Sequence, residues 1–351
     1  MSRVAGVDPG TVTFDICGLD DGEVVFERSF RTTDVGAAPA LLVETLMDHG
    51  PFELVLGPAG YGLPLVPVER VGERELALML LVREDEPQGR MGVGGMRSIV
   101  RALMASGLPI VFGPGAIHLP TIPPYRKWNR IDLGTADKVA SAALCIADQA
   151  NRLGVDFAET SFVMLELGGA FSAALAVDGG RIVDGLGGSV GPIGARACGA
   201  LDAEAAYLLG ATLSKRTVFS GGALGDVDFS AGLEALRRDP RHREGWLALE
   251  EGAVKAALAL TASAPTPREI LVAGRLAQAP GLIDALGARL AHVAPVRIAS
   301  GLAAARGAAV LADGLVGGRY AALVERLGVR DASGSVLDHL RVDGADRIRL
   351  R

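Results

Sequence analysis

The sequence predicts an α/β protein of two halves built on a duplicated core, and three observations point there. The first is a pattern written twice, 158 residues apart. Near the N-terminus the chain reads GVDPGTVTFDICGLDDGEVV (6–25), and past its midpoint MLELGGAFSAALAVDGGRIV (164–183). Asp8 aligns with Glu166, Gly10 with Gly168, Asp20 with Asp178, Gly22 with Gly180 and Val25 with Val183, without a gap. The second observation is length: 351 residues exceed one small core and suit two domains. The third is order. Crossover helices and strands follow each copy, as α/β architecture requires.

Each copy reads as an apolar strand ending in an acid, a glycine turn, a second strand, then an Asp/Gly hairpin into a third. A glycine turn lets backbone N–H groups approach an anion with no Cβ in the way. The acid beside it can hold Mg²⁺ through water. Two such hairpins facing each other across a cleft would grip the phosphates of one nucleotide, with Mg²⁺ beside them.

Elements follow in order. Residues 3–57 read as a hairpin triplet, a helix around Ala37 to His49 and a buried strand Glu53 to Gly57. The stretch GPAGYGLPLVP comes next, at a strand C-terminal end where α/β folds place ligands. Residues 83–96 are polar and Gly-rich and read as a mobile loop. A helix (97–106), a strand (109–112) and an irregular segment (113–134) precede an apolar linking helix from about Thr135 to Arg152. After the second triplet come a Gly-rich loop from Gly185, a helix from about Ala203 and a glycine turn at 217–226. A helix around Trp246 to Ser263, strand 269–273, the turn Gly274-Arg275 and a helix over 281–292 complete that half. An Ala/Gly-rich closing helix, about 302–315 and extended over 320–327, should pack closely against the linking helix through Ala304, Ala305, Gly307, Ala308 and Ala309. The expected boundaries are 1–134 for the first domain, joined by 302–327, then 135–301 for the second and 328–351 as a peripheral tail.

Composition excludes several classes. Apolar residues make up 49% and charged residues 22%, which suits a folded chain and not a disordered one. The net charge is −6, and no basic run is long enough for a nucleic-acid footprint. Arg237, Arg238, Arg241 and Arg243 cluster, but Glu234, Asp239 and Glu244 lie among them, as in a solvated loop. Cys17, Cys145 and Cys198 are widely spaced and read as reduced thiols of a cytoplasmic protein. No signal peptide or membrane span is expected.

These motifs together resemble the acetate and sugar kinase/Hsc70/actin superfamily, most of all its acetate and butyrate kinase branch and a group of uncharacterised butyrate kinase-like proteins. The resemblance runs over roughly 3–327. GVDPGT resembles the first phosphate loop of that branch and LELGGAFSAALAVDGG its second. ILVAGRLAQAP resembles the adenosine turn, and AARGAAVLADGL the closing helix. The fold this implies is a pair of actin-like ATPase (ribonuclease H-like) domains with a nucleotide cleft between them. On the acceptor side, GAIHLPTIPP places His118 on the histidine of the acetate kinase AFHQTMP stretch. Leu133 stands where the FHGTSH segment has its histidine, and Pro58 or Ala59 where the GRGGLL loop has its arginine. GPIGARACGALD resembles the stretch containing TRSGD and keeps its arginine as Arg196.

The resemblance implies an ATP-dependent kinase for a small acceptor, and roles follow residue by residue. Asp8 and Glu166 are the candidate metal acids. Gly10, Thr11, Gly168 and Gly169 would hold phosphates, with Gly221, Gly222, Gly274 and Arg275 also on the nucleotide. Arg196 either offsets the charge of the transferring phosphoryl group or forms a salt bridge. Arg126, Lys127, Asn129, Arg130 and Asp132 lie in one run, YRKWNRID, and either bind an anionic acceptor or form a solvated loop. Asp132 would serve as base toward a hydroxyl, and Arg130 would share the catalytic role; a carboxylate acceptor needs no base. His118 binds substrate or is a satisfied loop histidine. Asp137 reads as the N-terminal acid of a helix, with Lys138 as its neighbour, while Asp15, Asp20 and Asp21 belong to the hairpin. The competing class is an ATP-dependent switch acting on a protein partner, and a homodimer is left open.

Overall fold

The computed structural model describes residues 2–86, 93–299 and 303–351. The first sheet is formed by β1 (Arg3–Pro9), β2 (Thr13–Asp20), β3 (Glu23–Arg31), β4 (Leu54–Gly57), β5 (Val66–Pro67) and β6 (Ile110–Phe112), in the order β3-β2-β1-β4-β6-β5. The second uses β7 (Ser161–Leu167), β8 (Ser172–Asp178), β9 (Arg181–Leu186), β10 (Glu269–Ala273) and β11 (Val296–Ile298), in the order β11-β10-β7-β8-β9. Apart from the short edge strand β5, the two sheets have the same topology: an antiparallel triplet followed by two parallel strands.

The duplication extends to register. Arg3 pairs with Asp20 and Ser161 with Asp178, each 158 residues on. The β2–β3 ladder slips at Gly18/Leu19 and the β8–β9 ladder at the equivalent Ala176/Val177. Both hairpins turn on two residues of positive φ, Asp21-Gly22 and Gly179-Gly180, which is the turn geometry that matches strand twist.

Three apolar layers hold the sheets. The outer layers cover one face of each sheet, and the central layer takes side chains from both, including Val4 and Leu56 from the first and Met164 and Leu175 from the second. The linking helix (Ala136–Leu153) and the closing helix (Ala303–Leu315) lie in this layer. Their backbones approach as the Ala/Gly stripe requires: a Cβ on Gly307 would lie 1.8 Å from Ala140 O.

Several boundaries differ from expectation. The expected mobile loop falls partly outside the described residues, at 87–92; from Val93 the chain is already helical (Val93–Met104). The first crossover helix is two, Thr32–Ala37 and Ala40–His49, parted at Pro39, whose ring cannot donate to a continuing helix. The helix at Ala203 is short (Ala203–Leu209) and is capped by the Asp202 carboxylate, which accepts from Glu204 N at 2.8 Å. The closing helix breaks before a separate helix, Ala321–Leu327. The residues from 328 on are not loosely peripheral: Val329 and Val336 are fully buried, Ser333 N donates to His118 O, and Arg351 N donates to Val82 O. The arginine cluster is not a solvated loop: Leu233–Arg238 is helical, and Arg237 turns in to Glu250 and the Trp246 ring. Arg238 and Arg241 stay in solvent, beside Glu234 and Asp239. Among the described residues no helix is long and apolar enough to cross a membrane.

Candidate active site

Asp8 and Glu166 are the penultimate residues of β1 and β7, and each chain then turns back into its neighbour strand. The two turns touch across the cleft. A Cβ placed on Gly169 would lie 2.9 Å from Val12 Cγ2 and 3.6 Å from Thr11 Oγ1. The amides of Thr11 and Gly169 have no hydrogen-bond partner among the described residues, so both are free to meet an anion. Gly168 differs, because its N–H donates to Phe171 O within the turn (2.9 Å). Gly274 backs the second turn; a Cβ there would lie 2.6 Å from Leu167 O.

Behind the turns sits a charge cluster centred on the buried Glu166. Lys138 Nζ donates to Asp137 Oδ2 and Glu166 Oε1, both at 2.5 Å, and Thr135 caps the other oxygen of Asp137. Asp137 is indeed in the first turn of the linking helix, but that turn points the Asp137–Lys138 pair at the second phosphate loop. Burial pushes the Asp8 carboxyl well above the carboxylate range, and Asp137 and Glu166 add to the push. Burial also raises Glu166, against the pull of Lys138. For Lys138 burial works against the charge, yet Asp137 and Glu166 outweigh it and hold the ammonium above its ordinary range. Glu166 Oε2 is buried and makes no hydrogen bond of normal geometry.

This set fits a hydrated divalent cation: three carboxyl groups face one ammonium, and one carboxylate oxygen is unused. Among the described residues no three metal-ligating side chains converge to cage an ion alone, so water would complete its shell.

Arg196 stands at the other end of the second turn. Its N–H donates to Ala170 O (3.2 Å), and its guanidinium lies over the Phe229 ring at 5.0 Å. Phe229 Cε2 is 3.5 Å from the would-be Gly169 Cβ, which places the arginine beside the phosphate turn. Arg196 Nε is buried without a partner. Gly221 and Gly222 grip the Arg196 backbone and do not reach the phosphate turns: Gly222 N donates to Arg196 O (2.8 Å), and Gly221 bridges Ala197. Arg275 stacks on the same Phe229 at 5.8 Å.

The run 125–132 does not gather around the cleft. Arg126 donates to Val183 O (2.7 Å) and faces Asp184 (3.7 Å). The Lys127 ammonium is buried on Leu119 O (2.8 Å), and burial lowers its pKa. Asn129 holds the C-terminal segment, taking Arg341 N on its side chain and giving its own N–H to His339 O. Arg130 is exposed and reaches no further than Asn129 O. His118 is the satisfied histidine, 3% exposed with Nδ1 at 3.2 Å from Gly115 O, and burial pushes its pKa down to about 4. Asp132 does turn inward. Its carboxylate accepts from Gly134 N (3.0 Å), Ser189 N (3.2 Å) and Ser189 Oγ (3.3 Å), so it anchors the 187–189 loop; burial raises its pKa against these donors. Asp15 stays within the hairpin, accepting from Ser29 and Thr13.

Two residues that sequence reasoning missed complete the cleft. Lys215 Nζ is 3.4 Å from Tyr61 Oη and 4.7 Å from the centre of its ring. Lys215 comes from the second half and Tyr61 from the first. A lone Ser-Lys-Arg in a loop carries no signal of this, since only tertiary placement brings it to the cleft.

A family model described as "Protein of unknown function (DUF1464)" matches residues 6–342. The chain belongs to the DUF1464 family. No curated protein matches the sequence. Among solved structures, this DUF1464 protein is similar to a propionate kinase from Francisella tularensis subsp. tularensis SCHU S4 (TM-score 0.61, 10% identity, covering 88% of this chain and 99% of that one). It is similar also to Porphyromonas gingivalis acetate kinase (TM-score 0.59, 12% identity, 90% and 100% covered). An acetate kinase from Entamoeba histolytica gives a TM-score of 0.55 at 11% identity (83% and 87%). These likenesses show the fold alone, a duplicated actin-like α/β architecture.

Proposed function

We propose that this DUF1464 protein is an ATP-dependent small-molecule kinase that transfers the γ-phosphoryl group to a carboxylate or hydroxyl of a small anionic metabolite. The observation that carries this reading is the contact of the two glycine turns, with free amides at Thr11 and Gly169 and acids behind them. The fold it shares with acetate and propionate kinases supports it.

Asp8 and Glu166 would hold Mg²⁺ through water, and the ion, when bound, would supply neutralisation of phosphate charge. The free amides position the phosphates. The acceptor oxygen forms the new O–P bond as the bond from the γ-phosphorus to the bridging oxygen of ADP breaks. Arg196, its Nε unpaired beside the second turn, offsets charge on the transferring group. A carboxylate acceptor has no proton to lose, whereas a hydroxyl must lose one, for which Asp132, whose charge reaches Tyr61 and Lys215, is the candidate base.

The test is ADP release from Mg²⁺–ATP by purified protein, with and without small acids and alcohols. Acceptor-dependent release is expected. Slow release indifferent to every acceptor would instead favour a nucleotide-driven switch.

A further inference from the structure

Lys215 is a half-buried cation. Among the described residues no carboxylate lies within ion-pair distance of its Nζ. Glu86 is close, but its Oε1 accepts from the Lys215 backbone N–H (2.6 Å), and Arg83 is turned to Leu213 O (2.9 Å). What surrounds the ammonium is aromatic and neutral: the Tyr61 ring and hydroxyl on one side, and Phe219 at 5.9 Å on the other. Burial pulls the lysine pKa down to about 8, while Asp132 and Glu86 resist only from a distance. Burial and Asp132 together hold the Tyr61 phenol above its ordinary range, so it stays neutral.

The position ties this cation to the phosphate turn. Phe219 packs edge-on against Phe171 at 4.9 Å, and Phe171 O is the acceptor that closes the second turn. Tyr61 belongs to the segment after β4, GPAGYGLP, which has no cation of its own. A desolvated ammonium gains most from an anion that enters with it. The aromatic walls favour an anion with an apolar body.

We propose that Lys215 receives the anionic group of the acceptor, in a slot walled by Tyr61 and Phe219 beside the second phosphate turn, and that the acceptor is a compact organic anion with an apolar body. The role of this slot rests on the kinase reading above, but occupation of the slot can be read without turnover.

Reductive ¹³C-methylation keeps the lysine charge and reports its titration by NMR, with Lys215→Arg identifying the resonance by its loss. Butyrate and benzoate are the probes, with butanol as the uncharged control. The Lys215 resonance should titrate near 8 and shift upward with butyrate or benzoate, and not with butanol. In the kinase assay Lys215→Met should raise the acceptor KM by roughly 10- to 100-fold, the worth of one charge-assisted hydrogen bond, with the KM for ATP unchanged. In wild type that KM should rise as pH passes 8, and in Lys215→Arg the rise should vanish, because guanidinium keeps its charge. Anion-dependent titration without any ATP turnover would keep the slot and sink the kinase reading. Turnover with an unchanged acceptor KM in Lys215→Met, or a titration indifferent to both anions, would overturn the slot.

Discussion

In the first hairpin triplet Asp8, near the end of β1, has no ion pair among the described residues; in the second, Glu166, near the end of β7, is already tied to Lys138. Register, bulge and turn are the same in both. The surroundings are not. β7 is buried along its whole length, while its counterpart β1 is buried only from Val4 to Val7. Duplication has kept the backbone that positions amides, and divergence has fallen on the counter-ions. Lys138 is bonded to Glu166 and reaches Asp8 only through space, so the two acids carry unequal shares of one ammonium.

The largest expected effect breaks that asymmetry. Lys138→Met leaves the buried Glu166 and its neighbour Asp137 uncompensated and should cost about 3–5 kcal/mol in urea unfolding. A loss well under 1 kcal/mol would mean the cluster is open to solvent.

A second contrast is in pH response. The first half holds the buried His118, whereas His292 of the second is exposed. A histidine held down to about 4 binds fewer protons folded than unfolded. Its contribution is therefore full above about 6.5 and is lost as pH falls through 4, by about 3 kcal/mol. Unfolding measured across that window should show the decline, and His118→Asn should flatten it.

Arg196→Ala should lower kcat by roughly 10²-fold with ATP affinity kept, as for loss of a donor that strengthens in the transition state. A change confined to KM would make Arg196 a ground-state contact.

The hairpins were legible because their signals are local: strand alternation, an acid, a glycine turn and an Asp/Gly pair recur at one spacing. The Ala/Gly stripe of the closing helix was legible for the same reason. The destination of 125–132 was not. A run of cations has no direction in sequence, and the C-terminal segment that takes Asn129 lies some two hundred residues away. Lys138 was read only as a neighbour of a helix acid, since its partner Glu166 lies on another strand. Lys215 was invisible for the same reason: Tyr61, which its ammonium meets, lies 154 residues away.

The contrast between the two acids is tested most directly by calorimetric titration of ATP, with and without Mg²⁺, into wild type and Asp8→Asn. Wild type should bind one ATP with strong Mg²⁺ dependence. Asp8→Asn should lose that dependence while the free protein gains roughly 1 kcal/mol in stability, since a buried charge burden is removed. Unchanged Mg²⁺-dependent affinity in Asp8→Asn, or no ATP binding by wild type, would contradict the assignment of the cleft between the two turns as the nucleotide site.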